Sequence, residues 1–396
     1  MGPAEPGLVL TRRLALKGLG GLGAAALSVT GCTARDPASP APATAATSRA
    51  ARPPGTLLWH ARVPGGIISL VATDGLLCAG VHNGTSIRGV YAMQAGTGRK
   101  AWAHYGDAVA IPYAAQAGVL FGDTFAGIVA LRASDGKALW TAPAGTVNLG
   151  SASTWVLVTG GTVCTTADLG GIQKLKGVVL GLDTRTGRRT WTADFPSDPT
   201  GLTSAAGLVF AGSPAPPFKG SGKVAALDAA TGQRRWTSAD LRIIPGEIAA
   251  TQTTVAVSTS LLLSNPGQYV TLGLDTATGR ELWRTDGAAY PLTAGGGHIY
   301  GVTRTVWARD ARTGRQVWDR AVGPRLYLLT ATDDVVLAAS RHTVYALSAA
   351  DGHQLWSHTL PVYPTIITTA DDVVYVAATS NPLGGNSADE VYAFQA

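Results

Sequence analysis

The sequence predicts an all-β, eight-bladed propeller of four-stranded antiparallel blades, closed by pairing of its N- and C-terminal strands. Three observations carry this expectation. First, a glycine followed four positions later by a tryptophan recurs at Gly55/Trp59, Gly98/Trp102, Gly136/Trp140, Gly187/Trp191, Gly232/Trp236, Gly279/Trp283, Gly314/Trp318 and Gly352/Trp356. Successive tryptophans stand 35 to 51 residues apart, a period that means a solenoid or a propeller. Second, each repeat contains short β-rich runs, such as YLLTAT (327–332) and VVLAASR (335–341), whose alternation and β-branched content mark strands. Four such strands per repeat describe a blade. Third, composition agrees. Charged residues make up only 14% of the 396, and 50 glycines and 22 prolines suit a turn-rich β protein better than a helical one.

The best-formed repeats show how a blade is built. AALDAATGQRRW (225–236) and LGLDTATGRELW (272–283) run from an apolar strand through Asp and a Thr-Gly turn to a strand ending in Trp. Ten residues before the tryptophans stand Ala92, Ala130, Gly181, Ala226, Gly273, Ala308 and Ala346, small residues that keep a surface bare for an indole. Asp183, Asp228, Asp275 and Asp310 share one motif position in different blades, which favours turn stabilisation over catalysis. Trp307 fills the slot of Tyr91, Tyr345 and Tyr392 and reads as core, as does Trp155. Trp59 alone has no strand of its own before it, whereas the chain ends in VYAFQA (391–396), a third strand with no tryptophan after it. Together these make the eighth blade and remove the open sheet edge that would invite pairing with other chains. The ring is therefore expected to be monomeric.

The unit A-x-D-x-x-T-G-x-x-x-W resembles the tryptophan-docking motif of the quinoprotein (pyrroloquinoline-quinone-like) propeller family, over nearly all of residues 55–396. Gln94, Arg132 and Ser348 replace the motif Asp in three blades. The resemblance assigns the eight repeating tryptophans to packing between blades.

The first fifty residues read as an address. Thr11-Arg12-Arg13-Leu14-Ala15-Leu16-Lys17 resembles a twin-arginine export signal, and a Gly/Ala-rich apolar stretch follows from Gly18 to Val29. It is too short and glycine-rich for a stable membrane span. It ends in Val29-Thr30-Gly31-Cys32, which resembles a bacterial lipobox and implies a diacylglycerol on Cys32. Gly18-Leu19-Gly20-Gly21-Leu22-Gly23 matches a dinucleotide fingerprint only in letters, since no strand precedes it and no acidic residue follows at the required distance. The expected organisation is a signal peptide over 1–31, an Ala/Pro/Ser/Thr-rich tether over 32–54 and the propeller over 55–396. Such a tether spans roughly 25 Å as a flexible coil. The expected location is the extracytoplasmic side of the cell membrane, with the lipid bilayer as one partner.

Chemistry is sparse. The formal charge is +6, but no Lys/Arg run of five or more appears, so nucleic acid is not an expected partner. The seven histidines show no metal-ligand spacing, and neither a nucleophile elbow nor a phosphate loop is present. Cys78 and Cys164 are either a disulfide or two separate small buried side chains. The family resemblance raises a quinone-dependent dehydrogenase holding pyrroloquinoline quinone and calcium on the propeller axis. No vicinal cysteine pair or cofactor ligand can be matched here, so no cofactor, metal or catalytic residue is assigned. Other relatives of the motif are non-enzymatic: an outer-membrane assembly lipoprotein and the extracellular sensors of some bacterial kinases. Three classes stay open, in order: a binding or assembly scaffold with an envelope protein partner, a small-ligand sensor, and a quinoprotein oxidoreductase.

Loop variation points to a binding face. The turns between third and fourth strands are near-uniform, whereas the connections between second and third strands differ greatly. They are long over about 162–176, 212–222 and 381–390 and tight around Arg304 and Arg341. Binding usually resides in variable loops on a rigid scaffold. The candidate face carries Gln173, Lys174, Lys176, Phe218 and Lys219 as basic and aromatic groups, and His82, Asn83 and Asn386 as polar ones.

Overall fold

The computed structural model describes residues 52–82, 88–106, 109–124, 127–143, 156–168, 177–215, 220–259, 269–381 and 388–396. These residues form eight four-stranded antiparallel sheets and no helix. Blades one to seven each use four consecutive strands, within 66–106, 111–143, 156–195, 201–237, 245–286, 292–320 and 328–359. Blade eight takes three strands from 363–395, and Leu57–Val63 supplies its outer strand. That strand pairs with Asp389–Gln395 in the register Leu57↔Phe394, Trp59↔Ala393 and Ala61↔Val391. The ring thus closes as the sequence predicts, within one chain.

Each docking tryptophan lies directly across from its small residue: Ala92↔Trp102, Ala130↔Trp140, Gly181↔Trp191, Ala226↔Trp236, Gly273↔Trp283, Ala308↔Trp318 and Ala346↔Trp356. A register shift follows every one of these pairs, so the third-to-fourth turn leaves the ladder at the same place in each blade. Such a bulge re-aims the strand, here presenting the indole to the next blade.

The core alternates with a period of two blades. Across from the small residue, on the second strand, stand Phe121, Phe210, Tyr300 and Tyr375 in blades two, four, six and eight. Each meets its own blade's indole at 5.8–6.0 Å between centroids in a tilted pair, a favoured aromatic geometry. The odd blades place Cys78, Cys164, Ala256 and Leu337 in that slot. The two cysteines are therefore one slot repeated two blades apart, buried in separate core clusters and unbridged. Burial pushes the Cys78 thiol up to about 12, which keeps it an inert packing group. Trp307 is core as expected, 6% exposed. Trp155 lies outside the described residues.

Candidate functional site

In an up-and-down blade, first-to-second and third-to-fourth turns share one side of the disc, and second-to-third connections share the other with the links between blades. The first side is a hydrogen-bonded ring. The residue after the motif position donates its N–H to a first-turn carbonyl of its own blade, as Ala133 does to Gly118 (2.8 Å) and Ala229 to Gly207 (3.0 Å). Its carbonyl accepts the indole N–H of the preceding blade at 2.7–3.1 Å. Trp59, Trp102, Trp140, Trp191, Trp236, Trp283 and Trp318 reach Ala95, Ala133, Thr184, Ala229, Thr276, Ala311 and Ala349. The same indole covers the turn glycine of that next blade, whose φ near +70° requires glycine, as Gly187 lies under Trp140 and Gly232 under Trp191. Trp356 covers Gly55 at the closure, but its buried Nε1 has no hydrogen-bond partner. Here the neighbouring His358 Nε2 meets the Gly55 carbonyl oxygen instead (2.5 Å).

The motif aspartates serve the turns. Asp183, Asp228, Asp275 and Asp310 each accept from the backbone N–H and hydroxyl of the Thr three residues on, at 2.6–3.0 Å. Arg235 and Thr231 together hold the Asp228 carboxyl near 2. Where Arg132 replaces the Asp, it pairs with Asp135 (3.1 Å), and where Ser348 does, Asp351 bonds His353 (2.7 Å).

The inner strands line an axial cavity of about 470 Å³. Its wall is largely aliphatic, with Gln116, Thr203, Ser204, Thr293, Thr330 and Thr368 among its polar residues and Glu247 and Asp371 as its charged groups. No Lys, Arg or His lines it among the described residues. Pyrroloquinoline quinone carries three carboxylates, which call for cationic or backbone N–H partners when taken from water. Among the described residues the wall offers that group no cationic partner. No cluster of three or more His, Cys, Asp or Glu suited to a metal occurs among the described residues.

A buried polar chain, which sequence reasoning missed, leads outward from this axis. Tyr113 lines the cavity and hydrogen-bonds Asp123, and Arg88 Nη2 pairs with Asp123 Oδ1 at 3.0 Å. Burial raises the Asp123 carboxyl against the opposing pull of Arg88. Asp389 stands at the position of Arg88 in blade eight, four residues before the small residue. Its Oδ2 takes the Ile67 N–H (2.7 Å) and so ties blade eight to blade one, while burial raises its carboxyl. Polar residues at a fixed offset from Ala92 and Ala393 were the available signal.

The candidate face is only partly visible. His82 ends the second strand of blade one, exposed and paired with Gly66 and Arg88. Asn83, Gln173, Lys174, Lys176, Phe218, Lys219, Asn386 and the lipidation candidate Cys32 lie outside the described residues. The described second strands end at His82, Asp168, Pro214 and Thr379, and the third strands of the same blades begin at Arg88, Gly177, Gly222 and Asp389. In blade five the second strand ends at Thr259 and the third begins at Val270, a wide sequence separation that the sequence reading did not single out. Blades six and seven turn tightly at 303–305 and 340–342, as Arg304 and Arg341 suggested.

Fold and docking ring define a tryptophan-docked, eight-bladed propeller, an architecture that hosts both binding scaffolds and quinone enzymes. The chain belongs to the PQQ-like repeat family whose model is described as outer membrane protein assembly factor BamB, matched over residues 49–238, 88–320 and 220–361. Among solved structures it is similar to BamB from Moraxella catarrhalis, with 18% identity, TM-score 0.59, and coverage of 86% of this chain and 97% of that one. The computationally designed Ika8 protein aligns with 16% identity and TM-score 0.66 over 87% of this chain and all of its own. Quinohemoprotein alcohol dehydrogenase from Comamonas testosteroni aligns with 14% identity and TM-score 0.58, over 86% of this chain and 76% of that one. At these identities the likeness is one of fold. None of the curated proteins compared with the chain matches it.

Proposed function

We propose that the chain is a non-catalytic binding or assembly scaffold of the cell envelope, held to the membrane by a lipid on Cys32. The observation that carries the non-catalytic reading is the axial wall, which bears Glu247 and Asp371 and no cation among the described residues, in a family whose fold also serves quinone dehydrogenases. The family match to an assembly factor supports the role of holding proteins together. The face with second-to-third connections is the partner side. The second and third strands are separated by two residues in blade two, between Thr124 and Gly127, and by ten in blade five, between Thr259 and Val270, which makes for a lopsided rim on a rigid ring.

The test is a combined Lys174, Lys176, Phe218 and Lys219 to Ala variant, used to capture partners from membranes. It is expected to melt like the parent and to lose capture. Retained capture, with loss instead on changing the Thr-Gly turns, would place the partner on the other side. A second reading, a small-ligand sensor, is favoured by the axial cavity of about 470 Å³, large enough for a small polar molecule.

A further inference from the structure

The first-to-second and third-to-fourth turns of blades one to seven all lie among the described residues, and the charge of this side is divided by sector. In blades two and three the third-to-fourth turns and the outer-strand starts carry Arg132, Lys137, Arg185, Arg188 and Arg189, all exposed. Two acids offset them, Asp135, which pairs with Arg132 and Lys137, and Asp183, which caps its own turn. Five blades further round the ring, the turns of blades seven and eight carry Asp333, Asp334, Asp351, Asp371 and Asp372, with Arg52, just before the closing strand, as the described cation beside them. Asp333 accepts the Gly296 N–H and Asp351 bonds His353; among the described residues no ion pair joins any of the five to a Lys or Arg. Blade five is near balance, with Asp275 and Glu281 against Arg280 and Arg284, while blades one, four and six carry a small basic excess, Arg99, Lys100, Arg234, Arg235, Arg312 and Arg315 against Asp74, Asp228 and Asp310.

A uniformly anionic bilayer would attract one sector of this side and repel the other. A partner with its own opposed sectors satisfies both, and the chain's own copy is such a partner. The face is also level, because its turns are near copies of one another, held by the same hydrogen-bonded ring.

We propose that this side pairs with the same side of a second copy, about a two-fold axis in the plane of the disc running through blades one and five. Blades seven and eight of each copy then lie over blades three and two of the other. An isologous interface of this kind repeats every contact twice. It goes beyond the scaffold reading and does not depend on it, since the second-to-third connections point outward from both copies. A dimer so built presents two partner faces and gains from multivalency.

Single exposed charge pairs contribute little, so the association is expected to be weak and screened by salt. The test is sedimentation velocity of the mature protein at low and at high salt, with three variants. Lys137→Glu with Arg188→Glu reverses the basic sector, and Asp334→Lys with Asp372→Lys reverses the acidic one. The parent is expected to dimerise at low salt and to dissociate as salt rises. Each double reversal is expected to be monomeric with an unchanged circular dichroism melt, and the fourfold variant to dimerise again. A parent that stays monomeric at low salt overturns the proposal, as does a folded fourfold variant that fails to re-form the dimer. Co-sedimentation with phosphatidylglycerol vesicles that is lost in the Lys137→Glu, Arg188→Glu variant, without dimerisation of the parent, would make the side a lipid surface and also refute it.

Discussion

Replacing Gly273 by Ala is expected to weaken the joint between blades five and six more than its single methyl suggests. Gly273 lies across from Trp283, and an added Cβ would fall on Cε2, Nε1 and Cζ2, the rigid body of the indole. Trp283 cannot step away freely. It is 9% exposed, its Nε1 donates to the Ala311 carbonyl of blade six at 2.7 Å, and its ring covers Gly314. Overpacking of this kind costs about 1–3 kcal/mol, and a strained or lost hydrogen bond adds about 1 kcal/mol, giving about 2–4 kcal/mol. For a domain of this size the melting temperature should fall by roughly 3–6 °C. Gly96→Ala is the control, since an added Cβ there meets nothing within 4 Å, and its melting temperature should stay level or rise slightly. Adding Trp283→Phe to Gly273→Ala removes the clashing atoms, so the double variant should lose less than the two single losses together. A Gly273→Ala protein that melts like the parent would refute the reasoning, as would strictly additive losses.

Two further outcomes follow from the docking ring. Trp318→Phe forfeits the bond to the Ala349 carbonyl (2.9 Å), whereas the Trp356 Nε1 has none to lose. Denaturant unfolding should therefore show Trp318→Phe costing about 1 kcal/mol more than Trp356→Phe, and equal losses would contradict the seam geometry. The second is acid lability. The turn carboxyls of Asp183, Asp228, Asp275 and Asp310 lie below their usual range because Thr, and in Asp228 chiefly Arg235, bond the charged form. With folded values below unfolded ones, their stabilisation is present above roughly pH 4 and is lost as pH falls toward 2. Asp123 and Asp389, raised by burial, act with the opposite sign and offset part of the loss. A melting temperature that does not fall between pH 5 and pH 2.5 would contradict the turn assignment.

The ring was legible because its construction is local and repeated. The glycine, the Thr-Gly turn, the tryptophan and the small residue ten positions earlier sit within one stretch of each blade, and all eight copies dock as the spacing implies. Closure was legible from an orphan tryptophan at one end and an orphan strand at the other. What the letters hid depends on contacts between blades. That the motif glycine serves the preceding blade's indole, and that the next residue's peptide bridges two blades, becomes visible only when the blades are side by side. The alternation of Phe121, Phe210, Tyr300 and Tyr375 with Cys78, Cys164, Ala256 and Leu337 is written in the sequence, but uneven connections blur its register. Once in register, it explains why the two cysteines are packing groups in unbridged slots. Arg88 and Asp123 are separated by a blade boundary, so no local pattern joins them. The partner face was legible only as unequal connection lengths, and even there the connection at 260–269 lacked a distinguishing residue type.

Titration of the purified mature protein with pyrroloquinoline quinone, with and without calcium, decides most directly between scaffold and oxidoreductase. An axial wall bearing Glu247 and Asp371 and no described cation should give no saturable quinone absorbance and no oxidation of alcohols or sugars. One equivalent of bound quinone, carrying substrate-dependent reduction, would contradict the non-catalytic reading.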